Sequence, residues 1–540
     1  PMGMADLATV LWTRHLKVDP TDPTWFDRDR FVLSNGHGSM LLYGLLHLSG
    51  FPVTMDDLMA FRQWGSPTAG HPEREPHLGI EMTTGPLGQG FGTAVGMAMA
   101  EAHLREVFGA DLVDHHTYVL AGDGDLMEGI ASESASLAGH LALSRLIVLY
   151  DDNDISIDGS TDLAFTEDVE GRFKAMGWRT VAVDGHDHGA VDEAVHAGKA
   201  VDEAPTLIVC RTHIGYGSPN KQDSASAHGS PLGDEEIILT KEALGWPAGV
   251  EFEVPDEVYA LFHSHMAEGS AAREAWEARR DAALAADDDL AARWEGYRDG
   301  FEVRVGSPAV EVGEKMATRK ASGLTLAALA PEVPNLVGGS ADLTPSNNTF
   351  LEGYAEFQSG SREGRNLRFG VREHAMGAAL NGMAIHGGLR PYGGTFLVFN
   401  DYLRPATRLA ALRGAPSICV YTPDSFFLGE DGPTNQPIEH LASLRAMTNM
   451  WVIRPASPSE TAEAWEMALA RTDGPTCLVL TRQGVLEFER KAGSAHRGGY
   501  VARPGDDAVL VATGSEVGLA LEAAELLAAG GIDLRVVSLP

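Results

Sequence analysis

The chain has 540 residues, 44% hydrophobic and only 22% charged, which suits several globular domains and excludes a disordered protein. Its 76 acidic against 41 basic residues give a formal net charge of -35; this argues against nucleic acid or an anionic membrane as a partner, and any phosphate-bearing ligand must be held by local basic groups or helix ends. Cys210, Cys419 and Cys477 stand far apart without a CxxC pair, and no apolar run approaches the ~18 residues of a membrane span, so neither a disulfide framework, a zinc site nor a membrane protein is indicated and a reducing cytoplasm fits.

From Ala5 to about Gly50 helical signals alternate with turns, and Pro20 to Pro23 breaks the first helix. The polar, glycine-flanked loop Ser34 to Ser39 surrounds His37 and suits a ligand contact, although a lone histidine is more often structural. Gly70-His71-Pro72 lies in a Pro/Gly-rich connection, the kind of loop that carries function. Gly85 to Gly90 leads into an Ala/Met-rich helix, Phe91 to His103. Glycine-rich backbone entering a helix offers free N–H groups and a favourable dipole to a diphosphate. The spacing is neither GxGxxG nor GxxxxGK[ST], so the dinucleotide and P-loop readings fail.

Tyr118 to Asp158 reads as strand, helix, strand: an apolar run ending in Gly122-Asp123-Gly124, an Ala/Ser/Leu helix, and a second apolar run, Leu146 to Tyr150, ending in Asp151-Asp152-Asn153. Parallel strands with a right-handed crossover bring Asp123 and Asn153 to one sheet edge. They are hard oxygen ligands of the kind Mg²⁺ or Ca²⁺ prefers, with coordination left over for phosphates. The alternative is that an acidic residue after a strand caps the next helix. Further strands at Gly177 to Asp184 and Pro205 to Arg211 extend a parallel, doubly wound sheet over Ala5 to about Trp246, and the long polar loop Gly215 to Gly233 carries His228.

Pro255 to about Glu302 turns Ala-, Glu-, Asp- and Arg-rich, as a helical linker with a solvated charged face would be. A second αβ domain starts near Pro308. Within it Phe396, Phe399 and Tyr402 recur every three residues and share a face of a helical turn; taken alone, they read as a core stripe. Strands follow at Ser417 to Thr422 and at Pro475 to Thr481, the latter ending at Arg482, and Asp507 to Pro540 opens a new strand, helix, strand pattern.

The spacing of Gly122-Asp123-Gly124 to Asn153 resembles the thiamine diphosphate motif, and Ser34-Asn35-Gly36-His37-Gly38, Thr84 to Gly90 and Gly429-Glu430-Asp431-Gly432-Pro433-Thr434 are similar to the transketolase family over essentially the whole chain. The resemblance implies an α/β fold of two doubly wound, mostly parallel-sheet thiamine diphosphate-binding domains plus the start of a third. The expected boundaries are 1–254 (diphosphate-binding), 255–307 (acidic helical linker), 308–490 (pyrimidine-binding) and 491–540 (the beginning of a C-terminal domain); both ends read as cut. It further implies a cytoplasmic homodimer with active sites at the subunit interface, moving a two-carbon ketol unit between sugar phosphates such as xylulose 5-phosphate and ribose 5-phosphate.

Carried over residue by residue, the resemblance implies that Asp123, Asn153 and the Ile155 carbonyl ligate Mg²⁺ or Ca²⁺. Gly85, Leu87, Gly122, Glu128 and Asn153 surround the cofactor, Phe396, Phe399 and Tyr402 wall its pyrimidine, and Glu373 bonds the pyrimidine nitrogen. An ion pair with Arg372 is the alternative for Glu373. His37, His71 and His228 line the substrate channel, Arg319, Ser346 and Arg482 grip phosphate, and Asp431 meets the acceptor. Pro423 and Asn435 stand where the family has histidines. The rival readings are a relative with another acceptor such as formaldehyde, a 1-deoxyxylulose 5-phosphate synthase, and a cofactor-binding paralogue of low activity.

Overall fold

The computed structural model describes residues 1–540 except Glu302, Arg304, Ser307, Phe426 and Leu428, so the expected end of the linker at Ser307 lies outside the described residues. The chain divides into two compact units, Pro1–Ala291 and Ala292–Pro540. Among the described residues no helix is long and apolar enough to cross a membrane.

The first unit is built on a parallel sheet of β1 (Arg30–Leu33), β2 (Thr117–Gly122), β3 (Leu146–Asp152), β4 (Arg179–Asp184) and β5 (Thr206–Arg211), in the order β1-β2-β3-β5-β4. A strand covered on both faces must be apolar at every position rather than at alternate ones. β2 and β3 obey this, with Tyr118 to Ala121 and Leu146 to Leu149 fully buried. Helix α1 (Ala5–Arg14) sends Leu7, Leu11 and Trp12 into the same core, and Trp12 meets Phe31 of β1 edge-on at 5.2 Å. Helix α2 (Gln89–Phe108) is buried almost all round, which its Gly/Ala/Met composition permits. Two short helices, α3 (Asp123–Met127) and α4 (Gly129–His140), make the crossover from β2 to β3.

Helix α5 (Asp256–Ala286), in the segment expected as a linker, keeps a charged outer face but is anchored to the first unit. Phe262 and Met266 join its core, and the Trp276 indole N–H donates to the Leu112 carbonyl at 2.9 Å. The two tryptophan and phenylalanine anchors are widely spaced among acidic and basic residues, so composition alone reads as solvated.

In the second unit a parallel sheet runs β7-β6-β8-β9-β11-β10, comprising β6 (Leu336–Ser340), β7 (Asn366–Arg368), β8 (Arg390–Thr395), β9 (Ile418–Tyr421), β10 (Trp451–Ile453) and β11 (Thr476–Val479). Helices α6 (Thr318–Glu332), α7 (Glu373–His386), α8 (Asn400–Arg413) and the short α9 (His440–Arg445) supply its connections. A smaller sheet, in which β14 (Leu534–Ser538) lies between β12 (Tyr500–Arg503) and β13 (Ala508–Ala512), packs with α10 (Glu516–Ala528). Both α/β sheets are parallel, the fold class read from the sequence. All three cysteines are buried and free, and Cys419 of β9 and Cys477 of β11, 58 positions apart in the chain by their numbers, are register partners in adjacent strands.

Ahead of β1 and of the glycine-rich loop lies a buried ion pair. Arg28 meets Glu81 through two bonds, Nε to Oε1 at 2.6 Å and Nη2 to Oε2 at 2.7 Å, with both side chains under one-tenth exposed. Burial pushes the Glu81 carboxyl up, but the guanidinium beside it prevails and holds it below the usual range. Glu81→Ala strands a buried guanidinium, so denaturant unfolding at neutral pH is expected to show a loss of about 3–5 kcal/mol. Because the Glu81 pKa is depressed on folding, the pair's contribution is present above the ordinary glutamate range and fades as the pH falls through it, so the gap between wild type and variant closes in acid.

Candidate active site

One carboxylate joins three loops at the C-terminal edge of the first sheet. Asp125, in α3, is fully buried. Its Oδ1 accepts from the Ser34 hydroxyl at 2.7 Å and the Gly88 amide at 2.7 Å, and its Oδ2 accepts from the Gly122 amide at 3.1 Å. Ser34 Oγ accepts in turn from the Phe91 amide at 3.0 Å. Burial still pushes the Asp125 carboxyl above its ordinary range against the pull of these donors. The loops after β1, before α2 and after β2 are thereby fixed to one another. Gly88 has φ +75°, and a Cβ there would stand 2.6 Å from the Ile130 side chain and 3.0 Å from Glu128 Cβ, so the backbone in this loop is accessible only as glycine.

Asp123 and Asn153 do come together. The register pairs Gly122 with Asp151 across β2 and β3, and the Asn153 backbone amide lies near enough to the Asp123 carboxylate to pull its pKa down. Asp123 Oδ1 accepts from the Tyr150 hydroxyl at 2.5 Å; its Oδ2 is buried and has no hydrogen-bond partner. Burial pushes this carboxyl up to about 6. Capping does not account for Asp123, since the Gly122 amide at the head of α3 is taken by Asp125. The Asn153 side chain is oriented from both ends, its Nδ2 donating to Asp151 at 2.8 Å and its Oδ1 accepting from the Ile155 amide at 3.1 Å. An orphaned buried carboxylate oxygen at the paired strand ends fits a hard divalent cation. Leu87 lies against Gly124, where an added Cβ would approach its Cδ1 to 2.9 Å, and Glu128 is exposed at the head of α4.

His37 and His228 stack with ring centroids 4.8 Å apart. Burial first, then the His228 ring, holds His37 down to about 4, and burial lowers His228 as well, so His37 is neutral at physiological pH. His71 packs on Gly85, whose Cβ would lie 3.3 Å from the imidazole, and Gly85 has φ +140°. The three histidines expected in the channel thus share one side of the first unit with Gly85.

In the second unit Glu373 opens α7 with only 9% exposure, and burial raises its pKa. That direction is opposite to what an ion pair with Arg372 would give, and the Arg372 guanidinium donates to the Phe369 carbonyl at 3.0 Å. Phe396 and Phe399 stack at 5.5 Å and Phe399 meets Tyr402 at 5.8 Å. Tyr402 is 64% exposed, so the three form an outward ladder and not a core stripe. Thr318 and Thr481 exchange amide-to-hydroxyl bonds at 2.9 and 2.7 Å, tying the start of α6 to the end of β11 and bringing Arg319 toward Arg482. Arg319 donates to the Ser346 carbonyl at 3.1 Å; Arg482 pairs with Glu430 at 2.6 Å and Asp431 at 3.6 Å. Burial, then the nearby Arg482 charge, lowers the Arg319 pKa. Asn435 ends the short turn Pro433–Asn435, half-buried.

Sequence reasoning missed Asp125 and Tyr150. An acidic residue three positions into a strand-to-helix turn is the available signal for the first; nothing in the pattern distinguishes the second from any apolar strand residue.

Comparison with known proteins matches residues 1–300 to the family described as "Transketolase, thiamine diphosphate binding domain", 314–486 to "Transketolase, pyrimidine binding domain" and 498–540 to "Transketolase, C-terminal domain". The chain is similar to the transketolases of Geobacillus stearothermophilus (55% identity) and Bacillus subtilis (51%), in each case over 100% of this chain and 83% of the relative. Among solved structures it is similar to the transketolase from Leishmania mexicana, with TM-score 0.97 and 48% identity over 100% of this chain and 82% of that one. It is also similar to a Pichia stipitis transketolase in complex with sedoheptulose 7-phosphate, with TM-score 0.97 and 44% identity over the same shares.

Asp125→Ala leaves three buried donors without their acceptor, each at a cost of about 1–3 kcal/mol. Hydrogen exchange at the Gly88 and Gly122 amides is expected to accelerate at least about tenfold; unchanged protection would mean the loops are held by something else.

Proposed function

Because the chain belongs to the transketolase family, we propose that it moves a two-carbon ketol unit from a ketose phosphate to an aldose phosphate, using thiamine diphosphate and Mg²⁺ or Ca²⁺ held by the residues described above. Ketol transfer and thiamine diphosphate binding belong to the family itself; the residue roles, cation, substrate pair and assembly are the proposal. The observation that carries it is the buried, unbonded Asp123 Oδ2 at the paired ends of β2 and β3.

Asp123, the Asn153 side chain and the Ile155 carbonyl hold the cation, and the glycine-rich backbone at Gly85 and Leu87, with Gly122 and Glu128, receives the cofactor. When bound, thiamine diphosphate supplies the nucleophilic carbon and stores the electron pair left by C–C cleavage. Glu373, buried and shifted upward, keeps a proton available at the pyrimidine ring. The ladder Phe396, Phe399, Tyr402 offers a stacking face worth about 0.5–1.5 kcal/mol beyond burial.

His37, neutral because its pKa is low, accepts hydrogen bonds from donor hydroxyls as well as giving them, with His71 and His228 beside it. Arg319 and Arg482, with Ser346, form a basic patch in a strongly acidic chain, and forked guanidinium donors suit a phosphate. Asp431 then meets the acceptor's hydroxyls. Asn435 orients a hydroxyl but cannot exchange a proton near neutral pH, so proton transfer falls to the histidines; Pro423 contributes no donor. The sugar phosphate held by the Pichia stipitis neighbour supports this substrate class.

The same reading includes a cytoplasmic homodimer with active sites at the subunit interface, and domains at 1–254, 255–307, 308–490 and 491–540. Three buried free thiols are in keeping with a reducing compartment.

Asp123→Ala is expected to abolish cation-dependent thiamine diphosphate binding, as followed by fluorescence quenching with and without Mg²⁺; equal affinity in both conditions would remove Asp123 from the cation site. Glu373→Gln should keep cofactor affinity but lower kcat for ketol transfer from xylulose 5-phosphate to ribose 5-phosphate by about 10²- to 10⁴-fold. An active wild-type chain with an equally active Glu373→Gln variant would deny Glu373 its proton role, and a wild type inactive on this pair would overturn the substrate assignment.

A further inference from the structure

Apart from the residues given roles above, one ligand atom each from Asp401, Glu439 and His440 lies within 4.8 Å of the other two. Asp401 stands in the first turn of α8, next to Tyr402, and Glu439 and His440 stand at the start of α9. Acidic residues near helix starts are common and signify nothing alone. The imidazole is what separates this cluster from that background. His440 is 3% exposed and both its ring nitrogens are buried without a hydrogen bond, the one histidine among the described residues in that state.

His440 Nε2 stands 3.2 Å from Asp401 Oδ2, near enough for a hydrogen bond but off its direction. Two ligands bound to one ion at about 2.0–2.1 Å lie about 2.8–3.4 Å apart as the angle opens from octahedral to tetrahedral, and the observed separation falls within that interval. Glu439 occupies the cap position of α9 yet makes no capping hydrogen bond, so its carboxylate is not committed to the backbone.

We propose that Asp401, Glu439 and His440 form a second cation site that takes a first-row transition dication such as Zn²⁺. One imidazole with two carboxylates suits Zn²⁺, Mn²⁺, Fe²⁺ or Co²⁺, whereas Mg²⁺ and Ca²⁺ favour oxygen alone, as at Asp123 and Asn153. The ion joins the first turn of α8 to the start of α9 and so fixes the end of the loop that carries Asp431 and Asn435.

The test is a calorimetric Zn²⁺ titration of the full chain saturated with thiamine diphosphate and Mg²⁺. One Zn²⁺ per chain at micromolar affinity is expected, weakened at least tenfold by His440→Gln and by Asp401→Asn, and retained in Asp123→Ala titrated without the cofactor. Asp401 is an exposed surface residue, so Asp401→Asn keeps the experiment informative if His440→Gln fails to fold. Absence of micromolar binding overturns the proposal. So does binding that survives both substitutions but disappears with Asp123→Ala, because Zn²⁺ then only replaces the cofactor's cation.

Discussion

The Asp125 carboxylate is the constraint on which the first unit's working edge depends. A charge with no exposure is costly to bury, and the cost is tolerated only where several donors converge on it. Here the donors come from the three segments that must be held in register: Ser34 ahead of His37, Gly88 at the head of α2, and Gly122 before Asp123. The glycine-rich loop, the histidine loop and the cation ligand therefore behave as one rigid body, although they are distributed over roughly the first quarter of the sequence. Each loop taken alone has short, glycine-rich backbone that would otherwise sample many conformations.

The two units prepare different chemistry. At the first, carboxylates and imidazoles crowd together, and burial is the leading cause of the shifts at the sheet edge: Asp123 upward, His37 downward. At the second, the basic pair Arg319 and Arg482 stands out against the acidic whole, and burial outweighs a backbone hydrogen bond in raising the Glu373 pKa. Net charge thus says little about a site of this kind. Local geometry sets two guanidiniums side by side even in a chain of this composition.

Much of the architecture was legible in the sequence because buried parallel strands write themselves as unbroken apolar runs, as Tyr118 to Ala121 and Leu146 to Leu149 do. The meeting of Asp123 with Asn153 was legible for the same reason, since parallel pairing and right-handed crossover leave their side-by-side position little freedom. What could not be read were properties of exposure and direction. The period of Phe396, Phe399 and Tyr402 is the same whether the stripe faces a core or solvent. Helix α5 hides its anchors, Phe262, Met266 and Trp276, among charged residues. Asp125 looked like one more acidic residue in a run, because the three donors that define it are brought to it only by tertiary structure.

The burial of the cysteines has a practical consequence. Thiol reactivity requires an accessible thiolate, and burial disfavours that form; burial pushes the Cys210 thiol up, and Cys419 and Cys477 are enclosed between strands of the second sheet. With all three out of reach, these 540 residues serve as their own cysteine-less background. A single cysteine introduced on the surface gives a uniquely addressable handle for a fluorophore or spin label, and a pair of them within one unit makes a distance measurable without first removing Cys210, Cys419 and Cys477.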